Sequence, residues 1–133
     1  MAINSRDGNK RAYLINLRGG YEKLDFYFGD GTEVYRSCSL QWKNNYYVFG
    51  GQYEKKQVSM VSGNRLERKG TLDFDFNEGG CAVLNQKTIV LCFDSSKTNV
   101  CRQSNNPLKS FTKLPNSIHG HKYTRIASFD GEN

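Results

Sequence analysis

The sequence predicts an all-β fold of short antiparallel strands, and three observations support this prediction. Thirteen glycines against two prolines are typical of many strands joined by tight turns. Short alternating runs of apolar and polar residues occur throughout, and no longer window keeps the apolar spacing of a helix. Residues 35–51 recur as residues 78–94, with an offset of 43 residues from Cys38 to Cys81. A repeat of this length made only of strands indicates stacked four-stranded sheets, as in a β-propeller.

The elements follow in order from the turn signals. Residues 1–10 are polar, and we expect them to form a flexible lead without the apolar stretch of a signal peptide. Glycine- and asparagine-rich turns divide the remainder into short strands. The predicted propeller segment, residues 11–133, comprises a half blade at 11–28, a blade at 34–74, a second blade at 79–115, and the first strand of a further blade at 123–133.

The fourth strands of the two blades depart from the 43-residue offset. We match Leu66 with Leu108, an offset of 42, and place the last strand of the second blade at 108–114. Placing Ile126 opposite Cys81 makes the connection that follows this strand three residues longer than the one after Leu72, with the extra residues in 116–122. A segment of this kind is an incomplete ring whose terminal blades expose strand edges. We therefore expect either a longer chain or an assembly of identical copies to complete the propeller.

Four cysteines in a loop-rich all-β chain suggest disulfides, and four thiols allow three pairings. Cys92 and Cys101 flank a predicted hairpin turn, which suits a bond across neighbouring strands. Cys38 and Cys81 occupy equivalent places on the inner strands of successive blades, which can approach each other. At least one disulfide would indicate an oxidising compartment and an extracellular or secreted protein. The alternative is four buried thiols in a cytosolic protein.

The segment Tyr46-Tyr-Val-Phe-Gly-Gly51 resembles the kelch repeat, in which a hydrophobic second strand ends in a double glycine. The resemblance covers about residues 11–131. The second unit departs from the pattern, because Cys92-Phe-Asp-Ser95 replaces the glycine pair. We expect Gly50 and Gly51 to be structural, since a missing side chain lets neighbouring strands pack closely. Kelch domains mostly serve as interaction platforms, so the resemblance implies a non-enzymatic module that binds through the loops between strands.

The loops expected to bind a partner join strands and differ between the two units. Their partner is predicted to be a protein, with a glycan as the alternative. The candidate binding residues are Gln52, Tyr53, Lys55, Lys56, Asn77, Glu78, His119, His121 and Lys122.

No cofactor or metal is expected. His119 and His121 are the only histidines, and the sequence fixes no third ligand near them. The segment Asp73–Gly79 departs from a calcium loop in the place of its glycine and in its phenylalanine spacers. No run of apolar residues is long enough to span a membrane.

A basic barrel that binds single-stranded nucleic acid is the alternative from another class. The net charge is +6, and a group of aromatic residues lies near several cations, as on a base-stacking surface. The aromatic residues are Tyr21, Phe26, Tyr27, Phe28 and Tyr35, and the cations are Arg18, Lys23 and Arg36. However, an OB-type barrel has five strands and no internal repeat of this length. We therefore assign these aromatic residues to packing and expect no nucleic-acid partner.

Overall fold

Twelve strands and their turns make up the part of the chain that the computed structural model describes, residues 2–6, 9–15 and 18–121. These ranges contain no helix, and hence none that is long and apolar enough to cross a bilayer. The prediction of an all-β fold is confirmed. The strands are β1 (Ala2–Arg6), β2 (Asn9–Ile15), β3 (Tyr21–Leu24), β4 (Tyr27–Phe28), β5 (Cys38–Trp42), β6 (Asn45–Phe49), β7 (Gln57–Ser62), β8 (Arg65–Thr71), β9 (Gly80–Leu84), β10 (Thr88–Asp94), β11 (Lys97–Ser104) and β12 (Thr112–Lys113).

The strands form three open sheets. β1, β2 and β3 make a small antiparallel sheet in that order. The second sheet has the order β4-β8-β7-β6-β5, and the third has the order β12-β11-β10-β9. Strands β5 to β8 and strands β9 to β12 are therefore two successive four-stranded antiparallel meanders. They occupy the segments 34–74 and 79–115, where the sequence predicts two four-stranded units. The strands of the described ranges do not close into a barrel of the OB type.

The amino-terminal segment is more ordered than the sequence predicts. Residues 1–10 are expected to be a flexible lead, yet Ala2–Arg6 pairs along its whole length with β2. The pairing joins backbone groups, so a polar sequence can form it without an alternating apolar pattern. The strand predicted for 123–133 lies outside the described residues.

The half blade predicted at residues 11–28 does not form one continuous unit. Its second strand divides into β3 and β4, and β4 pairs in parallel with β8, with Tyr27 opposite Arg65 and Phe28 opposite Leu66. Asp25 lies between the two strands and is exposed. About 38 residues separate the paired positions of β4 and β8 along the chain. No local sequence pattern could therefore show this pairing.

The last strand of the second unit is shorter than the predicted strand at 108–114. It comprises only Thr112–Lys113, and Leu108 lies in the preceding loop with 51% of its surface exposed. Pro107 cannot donate a ladder hydrogen bond, which opposes an earlier start. The Asn106 side chain accepts a hydrogen bond from the Leu108 N–H at 2.9 Å and holds the loop in a turn instead.

The strand register shows that the connection from β11 to β12 is longer than the connection from β7 to β8. Ser59 and Arg102 are 43 residues apart, whereas their cross-strand partners Arg68 and Lys113 are 45 residues apart. The extra residues therefore lie in the loop between β11 and β12. The expectation of a longer connection in 116–122 depends on Ile126 and lies outside the described residues.

An apolar layer joins the two meanders, with β5 beside β9. The ring of Phe111 lies between them, 6.2 Å from the centroid of Phe49 and 6.0 Å from that of Phe74. A smaller cluster on the opposite face of the first meander is covered by Phe26 and Phe28. The buried members of the joining layer are Leu40, Trp42, Tyr47, Phe49, Val58, Leu72, Phe76, Cys81, Ile89, Leu91 and Phe111.

Candidate functional site

The connections of the two meanders lie at two opposite ends, because successive strands run in opposite directions. Contacts between the meanders show that the corresponding ends of the two meanders lie side by side. The Trp42 Nε1–H donates to the Lys87 carbonyl at 3.0 Å at one end, and the Glu78 N–H donates to the Arg36 carbonyl at 2.9 Å at the other. We call the first end the turn end, and it comprises residues 43–44, 63–64, 85–87 and 105–111. We call the second end the loop face, and it comprises residues 29–37, 50–56, 72–79, 95–96 and 114–121.

The loop face contains every candidate binding residue that the structure describes. These residues come from three different loops that the sequence separates by more than sixty positions (about 69 from first to last). Lys122 lies outside the described residues. Those on the loop face are Gln52, Tyr53, Lys55, Lys56, Asn77, Glu78, His119 and His121.

Arg36 connects two of these loops, whereas the sequence indicated it only as a cation of the alternative nucleic-acid surface. Its guanidinium forms an ion pair with the Glu78 carboxylate at 2.7 Å and donates to Gln52 Oε1 at 3.0 Å. Its carbonyl accepts from the Glu78 N–H, and the neighbouring Tyr35 carbonyl accepts from the Gln52 N–H at 3.0 Å. Arg36 also has a left-handed backbone, with φ of 59°. Gln52 and Glu78 are thus held in place by one residue from the segment before β5.

The glycine pair lies where the backbone of another loop approaches most closely. Gly50 has φ of 61°, and a Cβ built there would lie 1.9 Å from the Phe76 carbonyl oxygen. The Gly51 N–H donates to that same oxygen at 3.0 Å. A Cβ at Gly51 would lie 2.6 Å from Glu33 Cγ. A side chain at either position would push the 72–79 loop or Glu33 away.

The second unit replaces the first glycine with an aromatic residue in the same backbone conformation. Phe93 lies 43 residues after Gly50 and has φ of 63°. Its ring centroid is 4.8 Å from that of His121. The His121 N–H donates to the Thr98 carbonyl at 2.7 Å, which fixes the end of the last loop against β11. The two units therefore present different surfaces on the loop face.

The predicted residues differ in how much they are exposed. Asn77 is buried, and its N–H donates to Asp94 Oδ2 at 2.7 Å, so it acts within the fold. Tyr53 is 77% exposed, and Ile118 on the last loop is 94% exposed. Lys55 and Lys56 are also exposed. Asp73 and Asp75 are exposed as well, so the accessible part of the loop face combines large apolar groups with charges of both signs.

The two histidines are exposed on the last loop of the face. The His119 carbonyl accepts a hydrogen bond from the Ser117 hydroxyl at 2.6 Å. Among the residues that the structure describes, no group of three His, Cys, Asp or Glu side chains is arranged to hold a metal ion.

Both disulfide pairings considered from the sequence are formed. Cys92 and Cys101 are cross-strand neighbours on β10 and β11, with Cα atoms 4.0 Å apart. Cys38 and Cys81 join β5 to β9, with Cα atoms 6.0 Å apart. Two such bonds are consistent with an oxidising environment.

The bond between the meanders depends on a change of register, and the two cysteines are not equivalent as the sequence suggests. Cys38 pairs with Phe49, whose counterpart in the second unit is Cys92. Cys92 pairs with Gly80, however, and Cys81 pairs with Leu91. A shift of one residue turns a strand side chain to the other face of its sheet. Cys81 therefore faces the first meander, whereas an unshifted Cys81 would face away from it.

Comparison with protein-family models and with curated proteins finds no match for this chain. The resemblance of Tyr46–Gly51 to the kelch repeat stays a prediction.

Proposed function

We propose that this chain is a non-enzymatic interaction module, a segment of a kelch-like propeller whose loop face binds a protein. The observation that carries the proposal is the convergence of loops 50–56, 72–79 and 114–121 on one face. Their backbones are fixed to the sheets and to one another, while Tyr53 and Ile118 remain exposed. A rigid scaffold that carries variable loops is a common way to build a binding surface.

The packing of the two meanders supports the assignment of successive blades. The first meander turns Phe49 toward the second, and the second turns Leu91 toward the first. Phe49 and Leu91 are not repeat equivalents, so each meander uses its opposite face for this contact. The same stacking can continue on both outer faces, as it does in a propeller. Further blades would come from a longer chain or from other copies.

The chemistry of the exposed groups favours a protein partner. Tyrosine offers a large amphipathic surface with few rotatable bonds, and such anchors contribute much of the affinity at protein interfaces. An aliphatic side chain as exposed as Ile118 gains from burial, at about 25 cal/mol for each Å² of apolar surface removed from water. Lys55 and Lys56 lie beside Tyr53 and would suit an acidic border on the partner.

The test is affinity capture from an extracellular protein mixture with three immobilised proteins, in the presence of an excess of free acidic glycan. These are the wild type, a loop-face variant that combines Tyr53→Ser with Ile118→Ser, and a turn-end control, Lys87→Gln. All three are first shown to have the same melting temperature. We expect one or more proteins to bind the wild type and the control but not the loop-face variant. Capture that the loop-face variant retains, or no specific capture by the wild type, would contradict the proposal.

A further inference from the structure

The turn end has a different charge character from the loop face. Residues 43–44, 63–64, 85–87 and 105–111 contain Lys43, Lys87 and Lys109 but no aspartate or glutamate. None of these lysines forms an ion pair with an acidic side chain of the described ranges. The loop face by contrast mixes both signs, because its loops include four acidic residues between positions 54 and 78. The turn end is therefore a basic surface with no internal neutralisation.

A polar groove of about 550 Å³ opens at this end, beside the loop that is longer in the second unit. Hydroxyl and amide side chains line it, together with one cation, Lys109. Asn105 Oδ1 accepts from the Thr88 hydroxyl at 3.1 Å, and Asn106 Oδ1 accepts from the Leu108 N–H at 2.9 Å. Both side-chain oxygens are thus engaged, while the amide N–H groups have no partner among the described residues. The groove consequently offers these amide groups and the Lys109 ammonium as donors, beside hydroxyl groups that can also accept.

The other two lysines extend the basic surface away from the groove. Lys43 Nζ lies 4.5 Å from the centre of the Trp42 ring. The indole N–H of Trp42 donates to the carbonyl of Lys87, and the next residue, Thr88, lines the groove. A continuous strip therefore runs from Lys43 past Lys87 to Lys109, across both meanders.

We propose that the turn end binds an acidic glycan, a sugar chain that carries sulfate or carboxylate groups. Such a ligand has hydroxyl and anionic oxygens for the donors of the groove and further negative charges for Lys87 and Lys43. No aromatic side chain lines the groove, although stacking on aromatic rings is the usual support for single-stranded nucleic acid. The two disulfides are consistent with the oxidising surroundings outside cells, where acidic glycans occur. This binding is independent of the protein partner proposed for the loop face.

The experiment is calorimetric titration of the whole chain with a heparin-derived hexasaccharide, at several salt concentrations. The test variant combines Lys87→Gln with Lys109→Gln. The matched control combines Lys55→Gln with Lys56→Gln, which removes the same charge from the loop face. We expect the test variant to bind about tenfold to a hundredfold more weakly, from the loss of two charge-assisted contacts. The control should stay within about twofold of the wild type.

A neutral change in the groove separates specific contacts from general attraction. Gln103→Ala should weaken binding several-fold but leave the salt dependence unchanged, because it removes hydrogen bonds and no charge. Equal weakening in the test variant and the control would overturn the proposal, as would the absence of measurable binding to the wild type. Tighter binding of a single-stranded oligonucleotide of the same charge would also overturn it and would point to nucleic acid instead.

Discussion

Replacing Gln57 with leucine should destabilise the fold more than almost any other substitution of a single side chain. Gln57 is fully buried, and its amide makes four hydrogen bonds. It donates to the carbonyls of Glu33 and Gly50, the latter at 2.7 Å. It accepts from the Glu33 N–H at 3.0 Å and from the Ser59 hydroxyl at 2.6 Å. Leucine would leave both backbone groups of Glu33, the Gly50 carbonyl and the Ser59 hydroxyl without these partners.

The expected loss follows from these orphaned groups. A buried polar group without a partner costs about 1–3 kcal/mol. Four such groups, partly relieved by local movement and by the apolar leucine, give a loss of about 3–6 kcal/mol in the free energy of unfolding. Ser59→Ala is the matched control, because it removes one hydrogen bond and leaves the other three. It should cost about 1 kcal/mol.

Urea unfolding followed by fluorescence measures both values, since Trp42 is the single tryptophan and is buried. The midpoint should fall strongly for Gln57→Leu and slightly for Ser59→Ala, with similar slopes. The reasoning would be refuted if Gln57→Leu lost less than about 1 kcal/mol, or if both variants lost the same amount.

Other substitutions test other parts of the structure. Replacing Cys38 and Cys81 by alanine releases a loop of 43 residues and should cost about 4 kcal/mol in urea unfolding; an unchanged midpoint would contradict this. Gly50→Ala should lower the free energy of unfolding by at least about 3 kcal/mol, because its Cβ meets the Phe76 carbonyl. A melting temperature equal to that of the wild type would argue against that contact. Burial raises the pKa of Tyr47, so the unfolded chain loses this proton first and stability should fall above about pH 10. As the pH rises, the urea midpoint should fall less steeply for Tyr47→Phe than for the wild type. An equal dependence on pH in both proteins would show that Tyr47 is not the group responsible.

The sequence predicts well those features that depend on neighbouring residues. The turns around Asn44 and Gly63, and the hairpin that brings Cys92 to Cys101, follow from residues that favour left-handed backbone or from alternation within a short window. The loop face was also predictable in outline, because meander strands must deliver alternate connections to the same end.

Features that depend on distant partners were not predictable. The parallel pairing of β4 with β8 and the one-residue shift of β9 are decided by packing across the chain, and neither leaves a local pattern. The role of Arg36 between two loops was not predictable for the same reason, since its partners Gln52 and Glu78 lie 16 and 42 residues away. Leu108 misled the prediction of the last strand because it matches Leu66 in spacing, whereas Pro107 and Asn106 favour a turn.

The disulfide between Cys38 and Cys81 links the two meanders covalently at the boundary between them. It does not link the outer face of either meander to a neighbour. This bond ties the neighbouring strands β5 and β9 of the two meanders together covalently. Cys38 and Cys81 are bonded to each other, so neither can form a disulfide with a neighbour that packs on the outer face of a meander. An assembly built on this chain would therefore separate first at its outer boundaries, and it would release the joined pair as its smallest unit.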